Sequence, residues 1–336
     1  MALQDLKLIF SDNDISAFSN DFVGDGKYSN AVVSFSAWNS KGNGTPFGPG
    51  FFKSRGIPAI FVVQHRNHWW HTEAVFSLAH KVKALAAENG LGLVCYGSSM
   101  GGYGSIHLSR IFGARKAVAI APQIFISESE IPEEKRWEIE RKKVELIFGE
   151  RENLSLARCD TYIFYDNRHA QDKLHVDRLV SGVRNPRFQL VEVPFASHDV
   201  ARALVAVSEF KHFVEGLACG TNYDLAPLEG ACRNAYQFDD KAFLNRVRSV
   251  PVREIQRDEI DRLLKVVSKE YVAKLDFEAL YFAAEGLMNL GFYSDALACS
   301  SMSLEKYPLS SVPRYLELKH ERVFKAFTQY GSAKSA

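Results

Sequence analysis

The sequence lacks the features that mark several large classes of protein. Its five cysteines are odd in number, widely spaced and never form a Cys-x-x-Cys pair, so we expect neither a disulfide framework nor a cysteine-ligated zinc site. It has no run of about 20 apolar residues, which argues against a membrane-spanning helix. The first ten residues carry Asp5 and Lys7 where a signal peptide needs an unbroken apolar stretch. These absences favour a cytoplasmic protein with reduced thiols.

An excess of one charge sign is missing as well. Lys and Arg number 41 and Asp and Glu number 40 among 336 residues, for a formal charge of +1. Nucleic-acid binders usually concentrate a basic excess on one face, so no nucleic-acid partner is expected. The chain is instead rich in large apolar residues, with 24 Phe and 13 Tyr. Its length suits roughly two globular domains of about 150 residues each.

Short runs rich in Val, Ile and Phe alternate with longer amphipathic stretches between residues 31 and 215. This alternation is typical of β-α units around a mostly parallel sheet. The clearest helical pattern runs from Thr72 to Asn89, where apolar residues recur every three or four positions. A highly charged segment at about 123–158 interrupts the alternation and is predicted to be a helical insertion. The predicted strands are 31–37, 58–64, 91–96, 116–121, 161–166 and 188–193.

The strand signals end after about residue 222. We therefore predict an α/β domain at 1–220 and an all-helical domain at 233–336. The segment from Phe277 to Pro308 is weakly similar to one tetratricopeptide hairpin, although a generic helix pair explains the same pattern. These helices offer a surface for a protein partner or for self-association. The predicted helices of this domain are 257–272, 276–290, 292–306 and 314–329.

The segment from Gly97 to Gly101 fits the pattern Gly-x-Ser-x-Gly, with Ser99 at its centre. It follows an apolar strand directly and precedes a helical pattern directly. This is the context of a nucleophile elbow, in which the serine lies on a sharp strand-to-helix turn that tolerates only small neighbours. A glycine-rich turn with an uninvolved serine is the alternative. Neither a phosphate-binding Gly-Lys-Ser/Thr loop nor the dinucleotide-binding glycine spacing is present, and no cofactor is expected.

A serine nucleophile needs a base and a group that orients the base. His198 lies just after the last predicted strand and is the candidate base, with a surface histidine at a helix start as the alternative. Two aspartates compete for the orienting role. Asp166 ends a predicted strand and so lies at the sheet edge where active-site groups gather, whereas Asp172 suits a helix N-cap. We favour Asp166 and keep Asp172 as the alternative.

The oxyanion formed in acyl transfer needs preorganised N–H donors. We expect one donor to be the backbone N–H of Met100, which follows the nucleophile. The second is expected in the turn after the first predicted strand, from Ala37 or from Trp38.

A loop rich in histidine and tryptophan follows the second predicted strand. Its histidines at 65, 68 and 71 have no interleaved carboxylate and lack the spacing of a zinc protease, so no metal site is predicted. At the C-terminal end of a strand in an open sheet, the loop is expected to line the substrate cleft. Packing of its aromatic residues against the sheet edge is the alternative. The substrate-binding candidates are Arg66, Asn67, His68, Trp69 and Trp70.

Residues 31–215 resemble the α/β-hydrolase superfamily through the Gly-x-Ser-x-Gly elbow at Ser99, Asp166 and His198, in the chain order serine, acid, histidine. The resemblance implies an α/β-hydrolase fold and ester, thioester or acyl-transfer chemistry. The stretch 67–70 is also similar to a segment of bacterial hydrolase-fold proteins linked to glycan O-acetylation. The sequence departs from the family at residues 36–37, Ser-Ala, where His-Gly is usual, and this leaves the second oxyanion donor open.

These observations predict a serine hydrolase of the carboxylesterase class. It would cleave the carboxylic ester or thioester of a small molecule or glycan through an acyl-enzyme, without metal or cofactor. One alternative is an O-acyltransferase or deacetylase that acts on a glycan or another alcohol. The other is a non-catalytic binding or scaffold protein that uses its helical tail.

Overall fold

The computed structural model describes residues 6–20, 26–38, 45–307, 312 and 314–330. The chain divides into two compact units. The first, here called the α/β unit, comprises Met1–Val193 and His198–Arg233. The second, here called the helical unit, comprises Pro194–Ser197 and Asn234–Ala336.

Eight strands of the α/β unit form one sheet in the order β1-β2-β4-β3-β5-β6-β7-β8. Strand β2 pairs antiparallel with β1 and β4, and every other pairing is parallel. This mixed, mostly parallel arrangement is that of the α/β-hydrolase fold and confirms the predicted fold class. The strands are β1 Lys7–Ser11, β2 Ile15–Ser19, β3 Asn30–Phe35, β4 Ala59–Gln64, β5 Gly92–Ser98, β6 Lys116–Ile120, β7 Asp160–Tyr165 and β8 Phe188–Glu192.

The parallel strands correspond to the continuous apolar runs of the sequence, because both faces of such a sheet are covered. The hairpin of β1 and β2 was not predicted. Its first strand is a partly exposed edge strand, and its apolar run is only the three residues Leu8–Phe10. The Asp12 side chain closes the turn by accepting the backbone N–H groups of Asp14 and Ile15 at 2.9 and 2.8 Å.

The predicted single helical insertion at 123–158 is wrong. Within it the structure has two short helices, α5 and α6, separated by turns. Some of its charged residues pair with other elements of the fold, as in the 2.9 Å contact between Glu133 and Arg178 of α7. The helices of the α/β unit are α1 Pro49–Arg55, α2 Ala74–Glu88, α3 Met100–His107, α4 Ser109–Phe112, α5 Glu138–Arg141, α6 Glu150–Ser155, α7 Ala170–Gly182, α8 Val200–Val205, α9 Ser208–Cys219 and α10 Leu225–Arg233.

The helical unit packs its helices around an apolar core that includes Leu263, Leu280 and Leu287. Residues 194–197 belong to it, and the side-chain amide of Asn245 donates to the backbone oxygen of Phe195 at 2.7 Å. The likeness to a tetratricopeptide hairpin stays a prediction, as does a partner surface. The helices are α11 Asp240–Ser249, α12 Arg257–Val266, α13 Phe277–Asn289, α14 Tyr293–Glu305 and α15 Arg314–Tyr330.

All five cysteines are free thiols. Among the described residues, no helix combines the length and the apolar character needed to span a bilayer.

Two buried histidines lie at α3 of the α/β unit: His107 is the last residue of the helix, and His71 contacts it from the loop after β4. The imidazole Nε2 of His71 is 2.7 Å from the Tyr103 hydroxyl, and Nε2 of His107 is 2.9 Å from the backbone oxygen of Ile124. Burial lowers the pKa of His71 to about 3 and the pKa of His107 to about 4. Both side chains are therefore neutral in the folded protein at pH 5.

We expect these histidines to make the α/β unit sensitive to mild acid. An unfolded histidine binds its proton near pH 6.5, so the unfolded state gains protons first, and stability falls as pH drops below 6.5. Between pH 6.5 and pH 5, each buried histidine is expected to lower the free energy of unfolding by about 2 kcal/mol. Urea titrations followed by tryptophan fluorescence measure this, because all four tryptophans lie in the α/β unit.

His107→Gln keeps a donor near the Ile124 oxygen but cannot titrate. Its free energy of unfolding should therefore fall less than that of the wild type over the same pH range. An equal fall in both proteins would show that His107 does not contribute to the acid sensitivity.

Candidate active site

Ser99 lies between β5 and α3 in a strained conformation, with φ 57° and ψ −118°. Glycines surround this turn because no other residue fits. A Cβ on Gly97 would lie 2.2 Å from the Gly101 carbonyl oxygen, and a Cβ on Gly101 would lie 2.2 Å from the Phe35 carbonyl oxygen. The tight turn therefore brings the start of α3 against the end of β3. This is the geometry of a nucleophile elbow.

The structure brings Ser99, His198 and Asp172 together in one line of hydrogen bonds. The imidazole Nε2 of His198 is 2.9 Å from the Ser99 hydroxyl oxygen. Its Nδ1 is 2.9 Å from both carboxylate oxygens of Asp172. Asp172 is buried, whereas His198 and Ser99 are partly exposed. The hydroxyl is therefore accessible from solvent, whereas the carboxylate is shielded from water.

The preferred assignment of Asp166 as the partner of His198 is corrected here in favour of the alternative, Asp172. Asp166 follows β7 and accepts the backbone N–H of Arg168 at 2.8 Å, which turns its carboxylate into its own loop. Asp172 does not cap α7, because the N-cap position belongs to His169. Asp172 lies in the first turn of that helix, and its carboxylate is free to meet Nδ1 of His198.

A salt-bridge network from the 123–158 segment supports Asp172. The Arg136 guanidinium donates to Asp172 Oδ1 at 3.0 Å and to Glu134 Oε2 at 2.7 Å. The imidazole of His175 lies 3.2 Å from the same Glu134 oxygen. Sequence reasoning missed all three residues. Glu134 and Arg136 lie in a charged segment that is typical of a solvated surface, and His175 belongs to α7 and has no motif around it.

The electrostatics of this network keep both carboxylates ionised. Burial alone would raise the pKa of Asp172, but His198 and His169 lower it to well below its usual range. Burial likewise opposes ionisation of Glu134, and its hydrogen bonds to His175 and Arg136 lower its pKa well below the usual value. An ionised Asp172 stabilises a positive charge that forms on the imidazole of His198.

Gln123 is a second group that the sequence did not reveal. It is fully buried, and its side-chain Nε2 lies 3.0 Å from the Ser99 hydroxyl oxygen. Its Oε1 accepts the indole N–H of Trp69 at 2.5 Å. The Ser99 hydroxyl therefore has a neighbour on each side, the imidazole of His198 and the amide of Gln123.

The candidate oxyanion donors lie near the elbow. Met100 is the first residue of α3, so its backbone N–H has no acceptor within the helix. The Ala37 carbonyl oxygen accepts the side-chain N–H of Gln64 at 3.1 Å, which fixes the turn after β3. Trp38 packs at the edge of the core, and its buried indole nitrogen has no hydrogen-bond partner among the described residues.

The structure divides the predicted substrate loop into two parts. The prediction that Trp69 and Trp70 bind substrate is wrong, because both side chains are fully buried. Positive φ angles of 45° and 65° turn them inward, and the indole of Trp70 donates to the Met100 carbonyl oxygen at 2.9 Å. The remaining candidates, Arg66, Asn67 and His68, line a surface cavity of about 380 Å³.

The histidines of this loop have partners within the protein. His65 contacts the Ser16 hydroxyl at 2.9 Å, and His68 accepts the backbone N–H of Trp70 at 3.0 Å. His71 accepts the backbone N–H of Ile147 at 3.1 Å in addition to its tyrosine contact. In the part of the chain that is described, the group with spacing suited to a metal ion is instead His169, Asp172 and His198. Two of its members already bond to each other.

Comparisons with known proteins give structural relatives only. No family model matches the sequence, and no curated protein matches it. A capsule O-acetyltransferase of Neisseria meningitidis serogroup A has 13% identity and a TM-score of 0.43, over 62% of this chain and 93% of that one. The fluorophosphonate-binding serine hydrolase F of Staphylococcus aureus has 13% identity and a TM-score of 0.43, over 62% and 97%. A serine hydrolase without a lid from Xanthomonas campestris has 12% identity and a TM-score of 0.37, over 69% and 94%. The chain's own sheet topology and its strand-to-helix turn at Ser99 identify the α/β-hydrolase fold.

Proposed function

We propose that the protein is a serine hydrolase that cleaves esters through an acyl-enzyme on Ser99. The observation that carries the proposal is the line of hydrogen bonds from Ser99 through His198 to Asp172, set on a strained turn. A serine hydroxyl is a weak nucleophile unless a base removes its proton as it attacks. Nε2 of His198 lies at hydrogen-bond distance for that transfer.

The first half of the reaction forms the acyl-enzyme. Ser99 Oγ bonds to the acyl carbon while its proton moves to Nε2 of His198, and the carbonyl electrons move onto oxygen. The tetrahedral intermediate then collapses, the bond to the alcohol breaks, and His198 returns the proton to the departing oxygen. In the second half, water attacks the acyl carbon with His198 as the base, the bond to Ser99 Oγ breaks, and His198 returns the proton to Oγ as the free acid leaves.

Two features of the site support stabilisation of the charges that form. The carboxylate of Asp172, ionised and shielded from water, holds the imidazolium of His198. We assign stabilisation of the oxyanion to the backbone N–H of Met100, at the positive end of α3, and to a second donor from Ala37 or Trp38. An oxyanion donor of this kind contributes roughly 100-fold to 1000-fold in kcat.

A second candidate function is transfer of the acyl group to a sugar hydroxyl. It is favoured by Trp137, a partly exposed aromatic ring whose centroid lies 6.2 Å from that of the His198 imidazole. The guanidinium of Arg136 covers one face of this indole at 4.3 Å. An aromatic face beside the base offers a stacking surface for a sugar acceptor.

Turnover of p-nitrophenyl esters of increasing chain length tests the hydrolase proposal, with product analysis in the presence of methyl glycosides. Release of free acid identifies a hydrolase, and acylated glycoside in place of free acid identifies a transferase. Trp137→Leu should lower transfer more than hydrolysis if the indole holds the acceptor. Absence of both products with every ester would contradict both candidate functions.

A further inference from the structure

We propose that Gln123 is a further catalytic residue, which holds an N–H group on the oxygen of the nucleophile. This inference rests on the proposed role of Ser99 as that nucleophile. The amide of Gln123 is the second contact of the Ser99 hydroxyl, after His198. Its function is to direct the hydroxyl proton toward His198 and to stabilise negative charge on Ser99 Oγ as the proton leaves.

The orientation of the Gln123 amide follows from the chemistry of its partner. The indole nitrogen of Trp69 can only donate a hydrogen bond, so the atom it contacts must be the Gln123 oxygen. The other end of the amide, an NH₂ group, then faces Ser99 at 3.0 Å. Gln123 and Trp69 have no exposed surface, so water does not compete for the bond between them.

The amide in turn determines the direction of the serine proton. A hydroxyl has one hydrogen and can accept at its lone pairs. Because Ser99 Oγ accepts from Gln123, its hydrogen is free to be donated to Nε2 of His198. The donors then all run one way, from Trp69 through Gln123, Ser99 and His198 to Asp172. Hydrogen bonds aligned in this way polarise one another.

Residues with strained backbone conformations lie on both sides of the contact between Gln123 and Trp69. Trp69 has φ 45°, and Ala121, two residues before Gln123, has φ 42°. Such conformations cost of order 1–3 kcal/mol each for residues other than glycine and are concentrated at functional sites. The backbone N–H of Gln123 also donates to the Ser99 carbonyl oxygen at 3.3 Å. The amide is therefore fixed relative to the serine by its backbone as well as by Trp69.

The contact contributes most while charge develops on the nucleophile. As the proton passes from Ser99 Oγ to His198, the oxygen becomes more negative and the N–H bond from Gln123 strengthens. Once Oγ is bonded to the acyl carbon it is an ester oxygen, a weaker acceptor, and the bond weakens again. Stabilisation that is largest during the transfer lowers the barrier without tightening substrate binding.

Two variants of Gln123 test the proposal. Gln123→Met removes the N–H with little change in volume. Gln123→Glu keeps an acceptor for the Trp69 indole and replaces the N–H with a carboxyl O–H, which can donate to Ser99 only while the carboxyl group is protonated. Gln189→Met, in β8, is the matched control for a glutamine of the same unit away from the site. The measurement is the rate constant for labelling by a fluorophosphonate, with kcat and KM for an activated ester.

We expect the labelling rate and kcat of Gln123→Met to fall about 10-fold to 100-fold with KM within about twofold of wild type. Gln123→Glu is expected to lose activity relative to wild type as pH rises and its carboxyl group ionises. A role in packing alone predicts that Gln123→Glu stays active at every pH. Thermal unfolding of each variant shows whether it is folded under the assay conditions.

Two results would overturn the proposal, and only the second of them would also reject the hydrolase proposal. Wild-type labelling at Ser99 with unchanged rates in folded Gln123→Met and Gln123→Glu would reject the role of Gln123 and leave the hydrolase proposal intact. Absence of labelling at Ser99 in the wild type would reject both.

Discussion

Replacing Ser99 with alanine is expected to lower kcat for an activated ester by at least about 10⁴-fold. The change removes the atom that bonds to the acyl carbon, and neither His198 nor Gln123 can substitute for it. KM should change little, because the hydroxyl contributes to the reaction rather than to ground-state binding. Steady-state kinetics with a p-nitrophenyl ester measure the loss.

Ser105→Ala is the matched control for this variant. Ser105 lies in α3, is fully buried, and bonds to the Gly102 carbonyl oxygen at 3.0 Å. Loss of that bond is expected to lower stability by about 1 kcal/mol and to leave kcat within about threefold. If Ser99→Ala retained the kcat of Ser105→Ala, Ser99 would not be the nucleophile.

The second large effect is expected from Asp172→Asn. An asparagine keeps the shape of the side chain but cannot hold His198 as a carboxylate does, so the imidazole loses its tautomer preference and its counter-charge. A fall in kcat on the order of 10⁴-fold is expected for such a change. The half-buried guanidinium of Arg136 also loses a charged partner, so some loss of stability should accompany the substitution.

Asp166→Asn distinguishes the two aspartates that the sequence left open. Its side-chain oxygen can still accept the backbone N–H of Arg168, so the loop after β7 should hold and kcat should stay within about fivefold of wild type. Both variants are measured at matched folded fractions, with unfolding curves as the check. A larger loss of kcat in Asp166→Asn than in Asp172→Asn would contradict the assignment of the acid.

Local sequence patterns predicted the site residues whose positions depend on local structure. The Gly-x-Ser-x-Gly segment predicts a turn because small residues are required within it, and the glycine contacts around Ser99 show that requirement directly. His198 followed from its position after the last strand. Asp172 could not be preferred in the same way. No local signal in the sequence places the N-cap of α7 at His169, which is what frees Asp172 from capping the helix.

The site residues that could not be predicted from the sequence are held in place by contacts between distant parts of the chain. Gln123 lies 24 residues from Ser99, and Arg136 lies 36 residues from Asp172. Trp69 and Trp70 follow a strand and were expected to face the cleft, but their left-handed backbone conformations point them into the core. Such conformations in tryptophan oppose its intrinsic preference, so only the packed fold reveals them.

The fold itself was more predictable than the site. Buried parallel strands such as β3 and β5 give continuous apolar runs whose ends are visible in the sequence. The edge strand β1 and the segment 123–158 were missed or misassigned for opposite reasons. The first exposes residues that a strand usually buries, and the second buries apolar residues such as Ile124 and Phe125 within a charged sequence.

The central claim is that Ser99 is a nucleophile activated by His198, and covalent labelling tests it most directly. The protein is treated with a fluorophosphonate, digested, and analysed by mass spectrometry for the modified residue. We expect one adduct in the wild type, on the peptide that contains Ser99. Ser99→Ala should form no adduct, and Asp172→Asn should form it much more slowly than the wild type. An unmodified Ser99 peptide, or equal modification of the wild type and Ser99→Ala at another residue, would contradict the account.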